Sequence, residues 1–177
     1  LFRTRAGAKT CLAGVCGTPS RQKALINAPI GRHVTRRTTM SVSSSASSRE
    51  ARTAYETLDA SHEAALLSCD LQTGRTHQIR VHLAAIGHPL LVDSDYGTLT
   101  EFKLSTIKRR FKVSKDEEER PILTRTPLHA FSITFKHPAT GESITIEAPY
   151  PKDYQALLQV LRKYSKYIAY APDEYYY

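Results

Sequence analysis

Within six positions the chain carries Arg75, His77, Gln78 and Arg80, set in the run Thr73-Gly74-Arg75-Thr76-His77-Gln78-Ile79-Arg80. Guanidiniums bind carboxylates and phosphates through a planar fork of N–H donors. A run that joins a strand end to a helix start also points backbone N–H groups at the same place. The chemistry on offer is therefore the holding and orienting of an anion. At ~100° per residue, Arg80 lies about a quarter turn from the apolar strip Ile79, Leu83 and Ile86, so it can look across a cleft beside the core. The same spacing serves equally for two solvated arginines paired with surface acids. Two competing motifs fail. A P-loop needs a longer Gly-rich loop ending in Gly-Lys-Ser/Thr. A metal site from His77, His82 and His88 founders because five residues turn about 140° around a helix.

The elements that must position these groups can be read from periodicity. Residues 54–58 and 64–71 read as a hairpin around Asp59-Ala60-Ser61-His62. A helix of about three turns follows, with Thr76 as N-cap and Gly87-His88-Pro89 as the stop. Residues 18–50 read as loop, including the Ser-rich run 41–48. In the charged insertion 101–125, Leu104, Ile107 and Phe111 suggest a short helix that passes into an exposed charged loop. A second hairpin joins 128–135 to 143–147 through Pro138-Ala139-Thr140-Gly141, and an amphipathic helix spans 153–168. The expectation is one α+β domain over residues 1–168, with a mixed, largely antiparallel sheet flanked by helices, and a tail at 169–177.

Lys and Arg number 25 against 17 Asp and Glu, a net charge of +8, which favours a polyanionic partner such as RNA. Lys108, Arg109 and Arg110 are candidate phosphate contacts, and a solvated helix face would look the same. Three cysteines without CxxC spacing argue against a disulfide framework or a zinc ribbon. No apolar run reaches ~20 residues and no apolar leader opens the chain, so an intracellular protein without a membrane span is expected. The sequence begins at Leu1 rather than Met, which leaves room for an upstream segment on this or a separate polypeptide.

The stretch from Leu71 to Pro89 resembles the signature of RluA/RluD-type RNA pseudouridine synthases. Shorter pieces follow that family's order: Lys9 to Gly17, Pro29 to His33, Ala51 to Tyr55, Asp95-Tyr96-Gly97, Leu128-His129-Ala130 and Lys136 to Gly141. The resemblance implies the pseudouridine synthase fold and isomerisation of an RNA uridine by an aspartate nucleophile, without metal or cofactor. The target uridine must leave its stack. It also implies roles: Arg80 pairs with the aspartate, Leu128 lines the uridine pocket, and Arg75, His77 and Gln78 order the junction on the RNA side.

The chain departs from the pattern in three places. The His-Arg-Leu-Asp segment that carries the nucleophile does not occur in the sequence, and Asp70, Asp93 and Asp95 belong to other parts of the pattern. Cys11 stands where the family has a tyrosine against the base, and Val92 replaces a glycine before Asp93. Without its aspartate, Arg80 is expected to sit unpaired in its cleft. Two expectations follow. The chain is a piece of a longer or split enzyme whose other part, such as a separate N-terminal half, supplies the aspartate, or it is a non-catalytic RNA-binding component, structural or for assembly, working with rRNA and ribosomal or assembly proteins. For the second, a mitochondrial ribosome is slightly favoured over a bacterial-type cytoplasm.

Overall fold

Side-chain alternation along β1 (Gly7–Cys16) sends Cys11, Ala13 and Val15 to one side and Leu12, Gly14 and Cys16 to the other, and both sides are covered. A strand covered on both faces belongs in the middle of a sheet. In the computed structural model, which describes residues 7–108, 111–112 and 118–164, β1 lies between β6 (Ala64–Leu71) and β7 (Leu128–Lys136). With β2 (Lys23–Asn27), β5 (Arg52–Ala60) and β8 (Ser143–Glu147) they form a six-stranded sheet of order β2-β5-β6-β1-β7-β8, antiparallel throughout.

Helix α3 (Lys152–Tyr164) covers one face. Its Tyr154, Leu157 and Leu161 are fully buried against Leu12, Ala64, Leu66 and Phe102, and the Tyr154 hydroxyl donates to the Leu12 carbonyl at 3.1 Å. Each such apolar side chain contributes about 1.5–3 kcal/mol. The approach is close at Gly14, where a Cβ would stand 3.1 Å from Leu157 and 3.2 Å from Pro127. Helix α1 (Gln78–Ala85) covers the other face, packing Ile79 and Leu83 against Ala13, Val15, Leu67 and Cys69. A small sheet of β3 (Ile30–Arg32) and β4 (Met40–Val42) leans on α1, with Ile30 and Met40 packed with Val81, Ala51 and Tyr96.

Several expectations need correction. Residues 18–50 are not all loop, since β2, β3 and β4 lie there: β2 pairs with the distant β5, and β3 and β4 pair with each other but at three residues each are too short to show an alternation. Part of the Ser-rich run is ordered by its own hydroxyls, Ser45 bonding Ser47 and Ser48. The helix α2 (Leu104–Ile107) is a single turn, and the insertion around it is anchored at both ends: Phe102 and Leu123 are buried and bridge each other. Both hairpins form as read, the second turning at Gly141, whose φ of 74° suits a residue without a side chain. The tail 169–177 and the last residues of the 153–168 helix lie outside the described residues.

Candidate active site around Arg80

Helix α1 starts one residue later than its sequence suggests, and Gln78 is the reason. Its side-chain carbonyl accepts from the Thr73 hydroxyl at 2.8 Å and the Arg75 N–H at 2.9 Å. Its amide donates to the Arg52 carbonyl at 2.9 Å and the Thr53 hydroxyl at 3.0 Å. The Thr73 hydroxyl in turn accepts from the Arg52 N–H at 2.8 Å. One buried carboxamide thus ties the turn 73–77 to β5. The chain meets the helix through His77 in the left-handed region, φ 55°, so His77 and not Thr76 stands at the N-cap, and no side chain caps it. His77 is held through Nδ1, 2.9 Å from the Tyr96 hydroxyl. That hydroxyl also accepts from the Met40 N–H at 2.8 Å, so it links the β3–β4 hairpin to the start of α1. Arg75 bonds the Glu50 carbonyl at 2.9 Å through Nε.

Arg80 is not unpaired. Asp93, fully buried, takes its Nε–H at 2.8 Å and its Nη2–H at 2.5 Å side-on, and Asp95 takes Nη2 at 2.7 Å. Asp93 also accepts from the Asp95 and Tyr96 N–H groups at 3.0 and 3.2 Å. Burial alone would raise the Asp93 carboxyl, but the Arg80 hydrogen bond and the two backbone donors outweigh it and hold it below the ordinary carboxylate value. The same bonds, that from Asp93 first, raise Arg80 further and fix its charge. The Tyr96 ring lies 4.8 Å from the guanidinium carbon. The expectation of an unpaired Arg80 treated carboxylates as lost with the nucleophile segment, whereas the loop after α1 supplies two.

That loop is delivered by β1. Leu90 bridges Val15, the Leu91 N–H bonds Gly14 O, and Gly14 N–H bonds Pro127 O, so segments 89–91 and 127–136 follow one another along one edge of β1. Val92 packs on the α3 side, and the segment still brings Asp93 to Arg80. Leu128, opposite Ala13, and Cys11, opposite Ala130 and Cys69, are half-buried and pack against the α1-side cluster. Cys11 and Leu128 therefore share the sheet face on which α1 lies. Burial pushes the Cys11 thiol up, so it is protonated at neutral pH. An open groove of ≈700 Å³, lined by Lys9, Thr10, Asp70, Gln72, Thr134 and Lys136 among others, lies beyond Cys11 at the end of the sheet; Leu128 is not in its lining. Lys108 follows Ile107, which packs on the α3 side, so it is not brought together with Arg80; Arg109 and Arg110 lie outside the described residues. Among the described residues no group of three metal-ligating side chains gathers.

Asp93, Asp95 and His82 are the residues that pattern reading passed over. His82 is fully buried, with Nδ1 2.9 Å from the Thr53 hydroxyl and Nε2 2.9 Å from the Ala28 carbonyl. The Ala28 carbonyl can only accept, so Nε2 carries the proton, and in the neutral imidazole Nδ1 accepts from the Thr53 hydroxyl. Burial lowers its pKa from 6.5. A histidine so lowered binds fewer protons folded than unfolded, so stability should fall as pH drops through and below ~6.5 and level off below the folded value. Denaturant unfolding at a series of pH values checks this, with the fall in that window reduced in His82→Asn.

Comparison with known proteins identifies the family. Residues 4–85 match the family model described as RNA pseudouridylate synthase. The chain is 40% identical over 141 residues to the ribosomal large subunit pseudouridine synthase D of Nitrosomonas europaea, covering 78% of this chain and 36% of that protein. It is 35% identical over 156 residues to RNA pseudouridine synthase 2, chloroplastic, of Arabidopsis thaliana, covering 83% and 36%. The solved structure of human RNA pseudouridylate synthase domain containing 1 superposes with a TM-score of 0.63 at 26% identity, over 93% of this chain and 69% of that one. The chain spans little more than a third of the length of these two curated relatives. These matches place the chain in the RNA pseudouridine synthase family, of RluA/RluD type.

Proposed function

We propose that this chain is the uridine-holding part of an RNA pseudouridine synthase acting on rRNA, and that the nucleophilic aspartate comes from polypeptide outside this sequence. The observation that carries this is the free part of Arg80. Asp93 fills the side-on edge, while Nη1 has no partner among the described residues and stays open beside a half-exposed carboxylate. An incoming aspartate can bond there and be held in one orientation. Leu128 and Cys11, on the same face, would border the flipped uracil.

RNA as the partner is supported by charge. Arg32, Arg36, Arg37 and Arg49 are exposed around the β3–β4 hairpin, with Glu50 the one acid between Arg21 and Tyr55. Because this hairpin packs on α1, its phosphate contacts would lie on the side of the target base. Lys108, Arg109 and Arg110 would then be a second contact area at most.

Cys11 favours a second reading, a non-catalytic RNA-binding component of a ribosome or its assembly, in a mitochondrion for example. A protonated thiol offers neither the stacking surface nor the hydroxyl of a phenol. Tritium release from RNA labelled at uridine C5 separates the readings. The isolated chain should release none, and the chain joined with a His-Arg-Leu-Asp segment should turn over. Release by the isolated chain overturns the proposal, and silence of the joined protein that still binds RNA favours the second reading.

A further inference from the structure

The geometry points to Asp95 as an internal stand-in for the anion that Arg80 is built to take. A guanidinium has two bidentate edges on its open sides, one formed by Nε–H with the near Nη2–H and one end-on, formed by the outer N–H groups of Nη1 and Nη2. Asp93 fills the first with both oxygens. On the second, Asp95 bonds Nη2 at 2.7 Å through one oxygen, and Nη1 is without a partner among the described residues. The end-on edge is therefore half filled. A carboxylate or phosphate seeking both donors must displace Asp95.

The two acids are built for different roles. Asp93 has a side chain of 0% exposure and four hydrogen bonds, two of them from the backbone of its own loop. Asp95 has 41% exposure, and among the described residues its carboxylate makes the single bond to Arg80. One can leave at little cost and the other cannot. Charge also argues for exchange: Asp93 already balances Arg80, so Asp95 makes the cluster net negative, and a further anion alongside it would be repelled. Asp95 thus keeps Arg80 oriented while the site is empty and sets a threshold that the incoming oxyanion must exceed.

This rests on the proposed function for the identity of the incoming group, but its test does not use isomerisation. The Arg80 Nε and Nη resonances of the ¹⁵N-labelled chain, assigned by their loss in Arg80→Lys, are followed during titration with acetate and, separately, with inorganic phosphate. Asp95→Ser and Asp95→Asn should bind the anion about tenfold or more tightly than the unsubstituted chain, since removing a like charge at this distance is worth that much. Tighter acetate alone identifies a carboxylate as the natural occupant, and tighter phosphate alone identifies the RNA backbone. Equal or weaker binding of both anions by the variants overturns the inference. Asparagine keeps the shape of aspartate, so Asp95→Asn decides should the serine variant not fold. An Asp95 that only supported the loop would change the melting temperature without tightening either anion. If the variants bind tightly while the joined protein releases no tritium, the functional reading falls and the role of Asp95 stands; the reverse result removes Asp95 alone.

Discussion

Asp93→Ala should lower the stability of the chain by about 3–5 kcal/mol, the usual result of removing one partner from a buried ion pair. The loss has two parts. Arg80, with a side chain only 16% exposed, would keep one half-exposed carboxylate in place of a bidentate buried one. The N–H groups of Asp95 and Tyr96 would also lose the oxygen that closes their loop, and with it the placement of the Tyr96 hydroxyl between Met40 and His77. Asp95→Ala removes an exposed partner and should cost no more than about 1 kcal/mol. Urea unfolding of the two variants reads the difference directly. Equal midpoints would mean that Asp93 is not the fixed partner of Arg80, and the division of labour between the two acids would be lost with it.

The strength of that division could not be read from residue types. Arg80 was legible as an arginine on the flank of the buried strip because a quarter turn from an apolar strip is a local property of one helix. Its partners lie 13 and 15 positions away, across Gly87 and a segment whose path is set by pairing with β1. Local periodicity likewise gave the 54–71 and 128–147 hairpins and α3, where close partners or one apolar stripe decide the structure. It did not reveal β1, whose neighbours β6 and β7 are distant in sequence, nor β2 to β4. Thr76 fitted a capping rule as well as any residue could, yet the turn is decided by a side chain inside the helix. That competition between a backbone cap and a buried carboxamide is tertiary, because Arg52 and Thr53 of β5 supply half of it.

Gln78→Ala is the substitution that exposes this competition. The side chain is 3% exposed and makes four hydrogen bonds, each worth about 1 kcal/mol net, and its removal takes the acceptor from the Thr73 hydroxyl and the Arg75 N–H. A loss of about 4 kcal/mol is expected, large for a polar residue and larger than a helix propensity that favours alanine can offset. Gln78→Glu separates the two sides of the hub. A carboxylate still accepts from Thr73 and Arg75 but meets the Arg52 carbonyl with no proton to give, so it should be nearly as unstable near neutral pH. Hydrogen exchange locates the effect: the Arg75 amide should lose protection in Gln78→Ala and keep it in Gln78→Glu, while amides of the α3 side should change only through global stability. Were Gln78→Ala to unfold at the same urea concentration as the parent, the turn would be held by something else. As the structure stands, the left-handed His77 and the register of α1 both depend on that carboxamide, and through them so does the direction in which Arg80 meets its carboxylates.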